Sequence, residues 1–371
     1  MATTVVNTKL TKEIKKFGSY DPSVCFNCGN CTAKCHLSTE HNLFPRKIIR
    51  YVQLGMKDKL KSSPEPWLCY YCGDCSATCP REANPGEIMM SIRRYLTSQY
   101  DWTGLSRMFY SSKTWELISI LLIAFLILSA FIYDGAFNRM NMESVSVNTF
   151  APVELIHVAD LLIFILLGGL LISNALRMFY FIIIKDSKVK IPLKLYISEF
   201  KVFTLNAMTQ MRWKECKESS WRWIKHLMLV TGYATMFLLV VVMLPIFQRD
   251  DSQWHWTAIL GYYGTAVLLF VTLESMISRL RKKEELHKNS HSSDWLFLIL
   301  LFLTALSGIL LHLFRILALP LPTYYVYVIH LMIVGPMLII EVPFGKWAHM
   351  LYRPLAIYLA TVKIKAASLV S

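Results

Sequence analysis

The chain changes character near residue 113. Before it, charged, polar and apolar residues intermingle with no apolar run long enough to cross a bilayer; after it, apolar runs dominate. Six of these runs, Trp115–Tyr133, Val153–Ile184, Trp223–Phe247, Trp256–Leu280, Trp295–Leu319 and Tyr324–Trp347, approach or exceed the roughly 20 residues a helix needs to span a hydrocarbon core. Aromatic residues mark their ends (Trp115, Trp223, Trp254, Trp256, Trp295, Tyr324, Tyr325 and Trp347), where amphipathic rings suit a membrane interface. Leu195–Trp213 is too polar to span and predicts an amphipathic helix on the inner surface, as does the tail from Tyr352 to Ala366. In the polar part, Lys9–Phe17 and Phe44–Leu60 predict helices, the latter from Ile48, Ile49, Tyr51, Val52 and Leu54. Glu87–Tyr95 predicts a helix leading out of a segment punctuated by Pro80 and Pro85. The expected fold class is all-α: a module at 1–100, a linker at 101–114, and a six-helix transmembrane domain at 115–371 with an amphipathic segment at 195–217.

Composition sharpens the division. Hydrophobic residues make up 54% of the 371 and charged residues 17%, below the about one quarter of an ordinary soluble chain. The first apolar run begins only after about a hundred residues, so no signal peptide is expected. The formal net charge of +14 raises the question of nucleic acid, and the positions of the charges answer it. Basic residues crowd alternate connections: Lys185 to Lys225 between the second and third runs, Arg279 to Lys288 between the fourth and fifth, Arg93, Arg94, Arg107 and Lys113 before the first, and Lys363 and Lys365 after the last. This positive-inside distribution predicts an inner-membrane protein with both termini and the polar module in the cytoplasm, and no nucleic-acid partner.

The chemistry of the polar module lies in its cysteines. Cys25, Cys28, Cys31 and Cys35 form a C-x2-C-x2-C-x3-C run, and Cys69, Cys72, Cys75 and Cys79 repeat it, followed by Pro80. This is the ligand spacing of a protein holding two [4Fe–4S] clusters, in which three close thiolates serve one cluster and the fourth Cys of each run reaches the other. The predicted sets are Cys25, Cys28, Cys31 and Cys79 for cluster 1, and Cys69, Cys72, Cys75 and Cys35 for cluster 2. Zinc favours two separated pairs rather than four Cys in one run, and disulfides imply an oxidising compartment. The long, helical interval between the runs predicts an α-helical ferredoxin arrangement. The ninth Cys, Cys216, stands alone in a basic segment and is expected to be a free thiol.

Polar residues in spanning helices are costly and so are functional candidates. By the predicted topology His226 and His349 lie near the cytoplasmic side, and His157, His312 and His330 near the outer side. Imidazoles paired at two depths are what two stacked b-type haems require; the alternative is interfacial His bonded to backbone or lipid headgroups. His157 precedes Asp160 by one turn, and Arg315 is another outer polar group, so these three are candidates for a quinone site that handles protons or for interfacial anchoring.

The stretch His330-Leu-Met-Ile-Val-Gly-Pro-Met-Leu-Ile-Ile-Glu-Val-Pro-Phe-Gly-Lys-Trp-Ala-His349 resembles the last helix of the haem b membrane subunit of respiratory nitrate reductase, and His226-Leu-Met-Leu-Val-Thr-Gly resembles its other ligand-bearing helix. The resemblance implies that His226 and His349 bind the inner haem b and His330 the outer one. This chain has Met236 where that family has a further ligand His, and its His330–His349 interval is one residue longer, which on an ideal helix turns the rings about 100° apart; Pro336 and Pro343 offer a correcting kink. For the second outer ligand His312 is the first choice, since the short connection Pro320–Thr323 puts it at the depth of His330; Met236 and His157 are the alternatives.

Over nearly its full length the chain resembles the membrane subunit of the quinone-interacting membrane-bound oxidoreductase of sulfur-metabolising bacteria and archaea. Its two halves are similar to the small iron–sulfur subunit and the haem subunit of heterodisulfide reductase. This implies electron transfer between menaquinone, two haems b, two [4Fe–4S] clusters and soluble flavin and iron–sulfur subunits like those of heterodisulfide reductase, and through them adenylylsulfate reductase. The chain has no Cys-Cys-Gly motif of a heterodisulfide-reducing site and no Gly-rich nucleotide fingerprint, so no substrate catalysis beyond quinone is expected of it. Other readings are the membrane subunit of a heterodisulfide reductase-like or sulfite-reduction-linked complex, and a haem-free anchor for a ferredoxin module. A transporter is disfavoured because no helix breaks at mid-membrane beside paired charges.

Overall fold

The computed structural model describes residues 5–40, 42–185, 190–211, 220–250, 253–282 and 285–369. Among them the chain is helices and turns, with no strand beyond an isolated bridge between Thr39 and Asn42. Six helices are long and apolar enough to cross a membrane: Lys113–Tyr133, Val153–Ile184, Ser220–Val242, Thr257–Arg281, Ser292–Ile316 and Pro320–Glu341. They pack side by side in the order second, third, fourth, fifth, sixth, first. The predicted amphipathic helix is Leu193–Thr209. It lies along the final helix His349–Ser368, tied by a Lys365–Glu199 ion pair at 2.7 Å and by the Tyr358 hydroxyl donating to the Tyr196 carbonyl at 2.8 Å. Cys216 and the end of the predicted 195–217 segment lie outside the described residues.

Three expectations about helices are corrected. Phe44–Leu60 is two helices, Arg46–Gln53 and Lys57–Lys61. They are parted at Gly55, whose φ of +69° is left-handed and whose Cα lies against the backbone of Asn7, leaving no room for a side chain. The third spanning helix stops before Phe247. Pro245 has no N–H to give the carbonyl four residues back, that of Val241. The hydrogen bonds widen to an i→i+5 pattern over Leu238–Val242, and a separate turn Leu244–Phe247 follows. The sixth helix ends at Glu341 instead of running to Trp347. Pro343 and Gly345 break the chain, the Glu341 carboxylate accepts from the Lys346 N–H at 2.7 Å, and a new helix begins at His349. His330 and His349 therefore stand on different helices, so the angular mismatch of a single helix does not arise.

The iron–sulfur module does not stand apart from the spanning helices. Leu10, Ile14, Phe44, Ile48, Ile49, Trp67 and Tyr100 share one apolar core with Ala175, Met178 and Ile182 of the second spanning helix and Tyr352, Ala356 and Leu359 of the final helix. The helix Pro85–Tyr100 runs through this core, longer than the Glu87–Tyr95 expectation, and Asn84 caps it by accepting from the Glu87 N–H at 3.2 Å. Residues 101–114 hold a short helix, Leu105–Ser111, whose Phe109 packs on Phe344 and Ile340. A buried ion cluster bolts the module to the bundle. Asp294, at the start of the fifth spanning helix, meets Arg94 of the module at 3.2 Å, Arg279 at 3.9 Å, and Lys346.

Candidate functional site

The two Cys runs fold as copies of one another. In each, the second residue after the first Cys is left-handed (Asn27 φ 58°, Tyr71 φ 56°) and its N–H points at the sulfur of that Cys, at 3.4 Å to Cys25 Sγ and 3.3 Å to Cys69 Sγ. Gly29 and Gly73 follow at φ 97° and 94° and start the short helices Asn30–Lys34 and Asp74–Ala77. The chain thus wraps three sulfurs and aims backbone donors at them, the hydrogen bonding that tunes a cluster's potential.

Cys69, Cys72 and Cys75 line one cavity together with Cys35 of the other run, enclosing ≈390 Å3 of empty space. Cys25 correspondingly faces Cys79 and Cys28. The structure brings together the crossed sets that the spacing predicts. All eight are free of disulfides. Among the described residues no three His, Cys, Asp or Glu side chains converge on a single-ion site. Four sulfurs around one zinc at about 2.3 Å each would do so, whereas a cubane sets each thiolate on a different iron corner. Burial pushes the Cys35 thiol up to about 12 and raises those of Cys25, Cys31 and Cys69, so in this dry site the thiolates need a compensating metal charge. Two arginines reach the first ligand of the second run. Arg93 donates to the carbonyls of Pro66 at 2.6 Å, Trp67 at 3.4 Å and Cys69, and Arg353 to those of Trp67 at 3.3 Å and Cys69 at 3.4 Å.

Tyr70 joins this cavity to the next. It lines the Cys cavity and also a space of ≈440 Å3 shared with His226, His349, Asn206, Gln210 and Arg353. The His226 and His349 ring centroids are 6.1 Å apart at 74°. Two imidazoles on one iron, with metal–nitrogen bonds of about 2 Å, would place them about 6 Å apart, so this pair fits bis-His ligation. A carbonyl can only accept, so the contact of His349 Nδ1 with the Lys346 carbonyl makes that nitrogen the N–H and leaves Nε2 with its lone pair.

The largest cavity, with ≈1150 Å3 of space open at its mouth, lies at the far end of the bundle among the second to sixth spanning helices. His330, His312, Met236, Asp160 and Arg315 all line it. Ser307 gives its hydroxyl proton to the Leu303 carbonyl at 2.7 Å, so its oxygen accepts from His330 Nδ1–H at 2.8 Å, and His330 Nε2 is left as a ligand atom. His312 Nε2 is bonded to the Tyr262 hydroxyl at 2.7 Å. Glycines clear space at both candidate sulfur and imidazole positions. A Cβ on Gly264 would lie 2.8 Å from Met236 Sδ, and one on Gly308 3.3 Å from His330 Cε1. His157 does not line this cavity. Its Nε2–H donates to Val241 C=O at 3.0 Å, the carbonyl that Pro245 leaves without a helical partner.

Sequence reasoning missed Tyr70, Arg353, Tyr262 and His255, all of which line these cavities. An aromatic inside a Cys run followed by an arginine four residues past a candidate His is a signal visible only with the fold in hand.

Comparison with known proteins bears on the module. Residues 24–84 match the 4Fe-4S dicluster domain family. Over 98 residues the chain is 32% identical to a protein of Archaeoglobus profundus described as like the C-type component of heterodisulfide reductase, a match covering 26% of this chain and 52% of that relative. The chain thus spans about half the length of the curated relative it matches. No solved structure matches. The protein carries an iron–sulfur dicluster domain joined to a set of helices suited to a membrane, the composition of an electron-transfer subunit related to heterodisulfide reductase.

Proposed function

We propose that this chain is the quinone-reactive membrane subunit of an oxidoreductase complex, passing electrons between menaquinone and soluble flavin and iron–sulfur subunits on the cytoplasmic face, where both termini lie. The observation that carries this reading is the run of sites in contact: the cysteine cavity and the His226–His349 pocket share Tyr70 as a wall, and His330 heads a third cavity beyond them. The cofactors are two [4Fe–4S] clusters on the crossed cysteine sets and two haems b, which when bound supply one-electron carriers from the outer end of the bundle to the module. His226 and His349 hold the inner haem. His330 holds the outer one, with Met236 as its partner, because His312 Nε2 already bonds Tyr262 while Met236 Sδ faces the clearance at Gly264.

At the far end, the Tyr262–His312 pair and Asp160 take up the protons of a quinol, and Arg315 orients its headgroup. His157 serves as the donor that satisfies the broken third helix. Residues 1–100 form the cytoplasmic module, 101–114 its connection and 115–371 the membrane domain. The full-length resemblance to the membrane component of the quinone-interacting oxidoreductase points the soluble partner toward adenylylsulfate reductase. The heterodisulfide reductase-like relative favours a second reading, a heterodisulfide reductase-like complex, and the two are separated by which soluble subunits co-purify. A reduced-minus-oxidised spectrum with haem and iron quantified tests the proposal: two b-type haems per chain, reducible by a menaquinol analogue, are the expected result. Iron without haem overturns it in favour of an anchor.

A further inference from the structure

We propose that Phe26 and Arg81 form the surface on which a soluble, acidic electron-carrier protein docks to take electrons from the cluster site of Cys25, Cys28, Cys31 and Cys79. This rests on the reading of the module as a two-cluster carrier serving a soluble partner. The argument comes from comparing the two copies of the Cys run. Phe26 and Tyr70 hold the same place, between the first and second Cys of each run, on backbones of matching conformation. Each ring carries an arginine: Arg353 lies 4.7 Å from the Tyr70 centroid and Arg81 4.1 Å from that of Phe26. The difference is what lies beyond. Tyr70 is 8% exposed, because the spanning domain is seated on it and the His226–His349 pocket opens behind it. Phe26 is 69% exposed, and Val24, Cys28, Pro80 and Arg81 around it are exposed as well. One copy of the aromatic–arginine device is already used to join a cluster to its neighbour within the chain, and the other is presented bare.

An aromatic ring with an arginine on it, surrounded by small apolar surface, has the composition of an interface hot spot. Cys28 is the ligand of this set classed as exposed, so this edge brings the cluster nearest to solvent. The charge on the edge selects the partner. Arg81 and Lys34, each exposed beside the last Cys of a run, outweigh the neighbouring Glu82, so carboxylates around an apolar patch are complementary. In the step itself one electron leaves the reduced cluster, which returns from its +1 to its +2 state. It enters the partner's oxidised flavin, and water supplies the proton of the neutral semiquinone.

The test uses the full chain in detergent, its clusters reduced stoichiometrically, mixed in a stopped-flow instrument with oxidised flavodoxin as an acidic FMN carrier. Ferricyanide at high salt, where charge is screened, is the small-molecule control. Phe26→Ala and Arg81→Glu are expected to slow reduction of flavodoxin about tenfold and to leave the ferricyanide rate and the iron content unchanged. The native rate should fall with salt, and the Arg81→Glu rate much less so. Variants that reduce flavodoxin as fast as the native chain overturn the proposal. So does an equal loss toward ferricyanide, which would mean a damaged cluster, and so does a native chain that reduces flavodoxin no faster than its salt-screened limit. Electrons are loaded directly onto the clusters, so a failure of the haem or quinol assignments appears in the spectrum and not in this rate.

Discussion

The guanidinium of Arg353 lies 4.7 Å from the ring of Tyr70, although 283 positions separate them in a chain of 371 residues. Arg353 sits one helical turn after His349, and Tyr70 directly follows Cys69. One contact therefore fixes the register between a cysteine run and a candidate haem ligand, and the same arginine binds the carbonyls of Trp67 and Cys69. The two ends of the sequence meet at the point where electrons would cross from one cofactor to the next.

Arg93 and Arg353 place two cations beside the Cys69 ligand, and Cys69 would be easier to ionise for it. Positive charge and hydrogen bonds near a cluster raise its potential. Arg353→Leu should lower the midpoint potential of cluster 2 and leave cluster 1 unmoved, as read by EPR-monitored redox titration. A shift of both, or of neither, would contradict the assignment of Cys69 to a separate cluster.

The histidine assignments separate by variant. His226→Ala or His349→Ala should remove one haem per chain and retain full iron, and His330→Ala should remove the other. Met236→Ala should then alter the outer haem, while His312→Ala leaves its spectrum intact and slows quinol oxidation, by about 10²- to 10⁴-fold if the imidazole is the proton acceptor. Haem quantified by absorbance and turnover with a menaquinol analogue read the two effects independently.

The crossing of the cysteine sets gives an unusual signature. Cys79→Ser should damage cluster 1, whose other ligands lie some 50 residues earlier, and Cys35→Ser should damage cluster 2. Each loses about four irons of eight. Iron analysis with EPR of the surviving cluster checks it; if each variant instead loses the cluster of its own run, the crossed sets are wrong.

Asp294 faces Arg94, Arg279 and Lys346 in a buried cluster. Breaking a buried pair by removing one partner costs about 3–5 kcal/mol, because the remaining charges are uncompensated. Asp294→Ala should therefore loosen the module from the bundle. Limited proteolysis should release residues before Lys113 faster, and thermal unfolding in detergent should occur earlier. The conservative Asp294→Asn should cost less.

His291 caps the fifth spanning helix by accepting from the Ser293 N–H at 3.3 Å. Burial, aided by Arg94, holds it at about 4; Lys346 and Lys113 add to this and Asp294 opposes it. An unfolded His titrates near about 6.5. The folded state thus binds fewer protons between these values, and stability falls as pH drops from about 6.5 toward 4, by on the order of 2 kcal/mol. Protonation also removes the accepting lone pair of the cap. His291→Asn keeps a cap and should flatten that part of the stability–pH curve, measured by thermal melts from pH 7.5 to 4.5.

Local pattern was enough for much of this. The six spanning helices were legible because a bilayer demands length and apolarity of each segment by itself, and the cysteine runs because cluster ligation dictates spacing along the chain. The crossed cysteine sets and the shared depth of His312 and His330 were also readable, since both follow from short connections. What the sequence left undecided were facts about backbone breaks and about partners distant in the chain. Gly55 splits a helix because Asn7 passes beside it. His157 looks like a ligand until Pro245 is seen to leave the Val241 carbonyl for it. His330 and His349 read as one helix until Pro343 and Gly345 turn the chain between them. His312 and Met236 could be ranked only once Tyr262 and Gly264 stood opposite them. Periodicity reports what a segment buries, but which atom meets which is set by packing between segments, and there the tertiary structure alone decides.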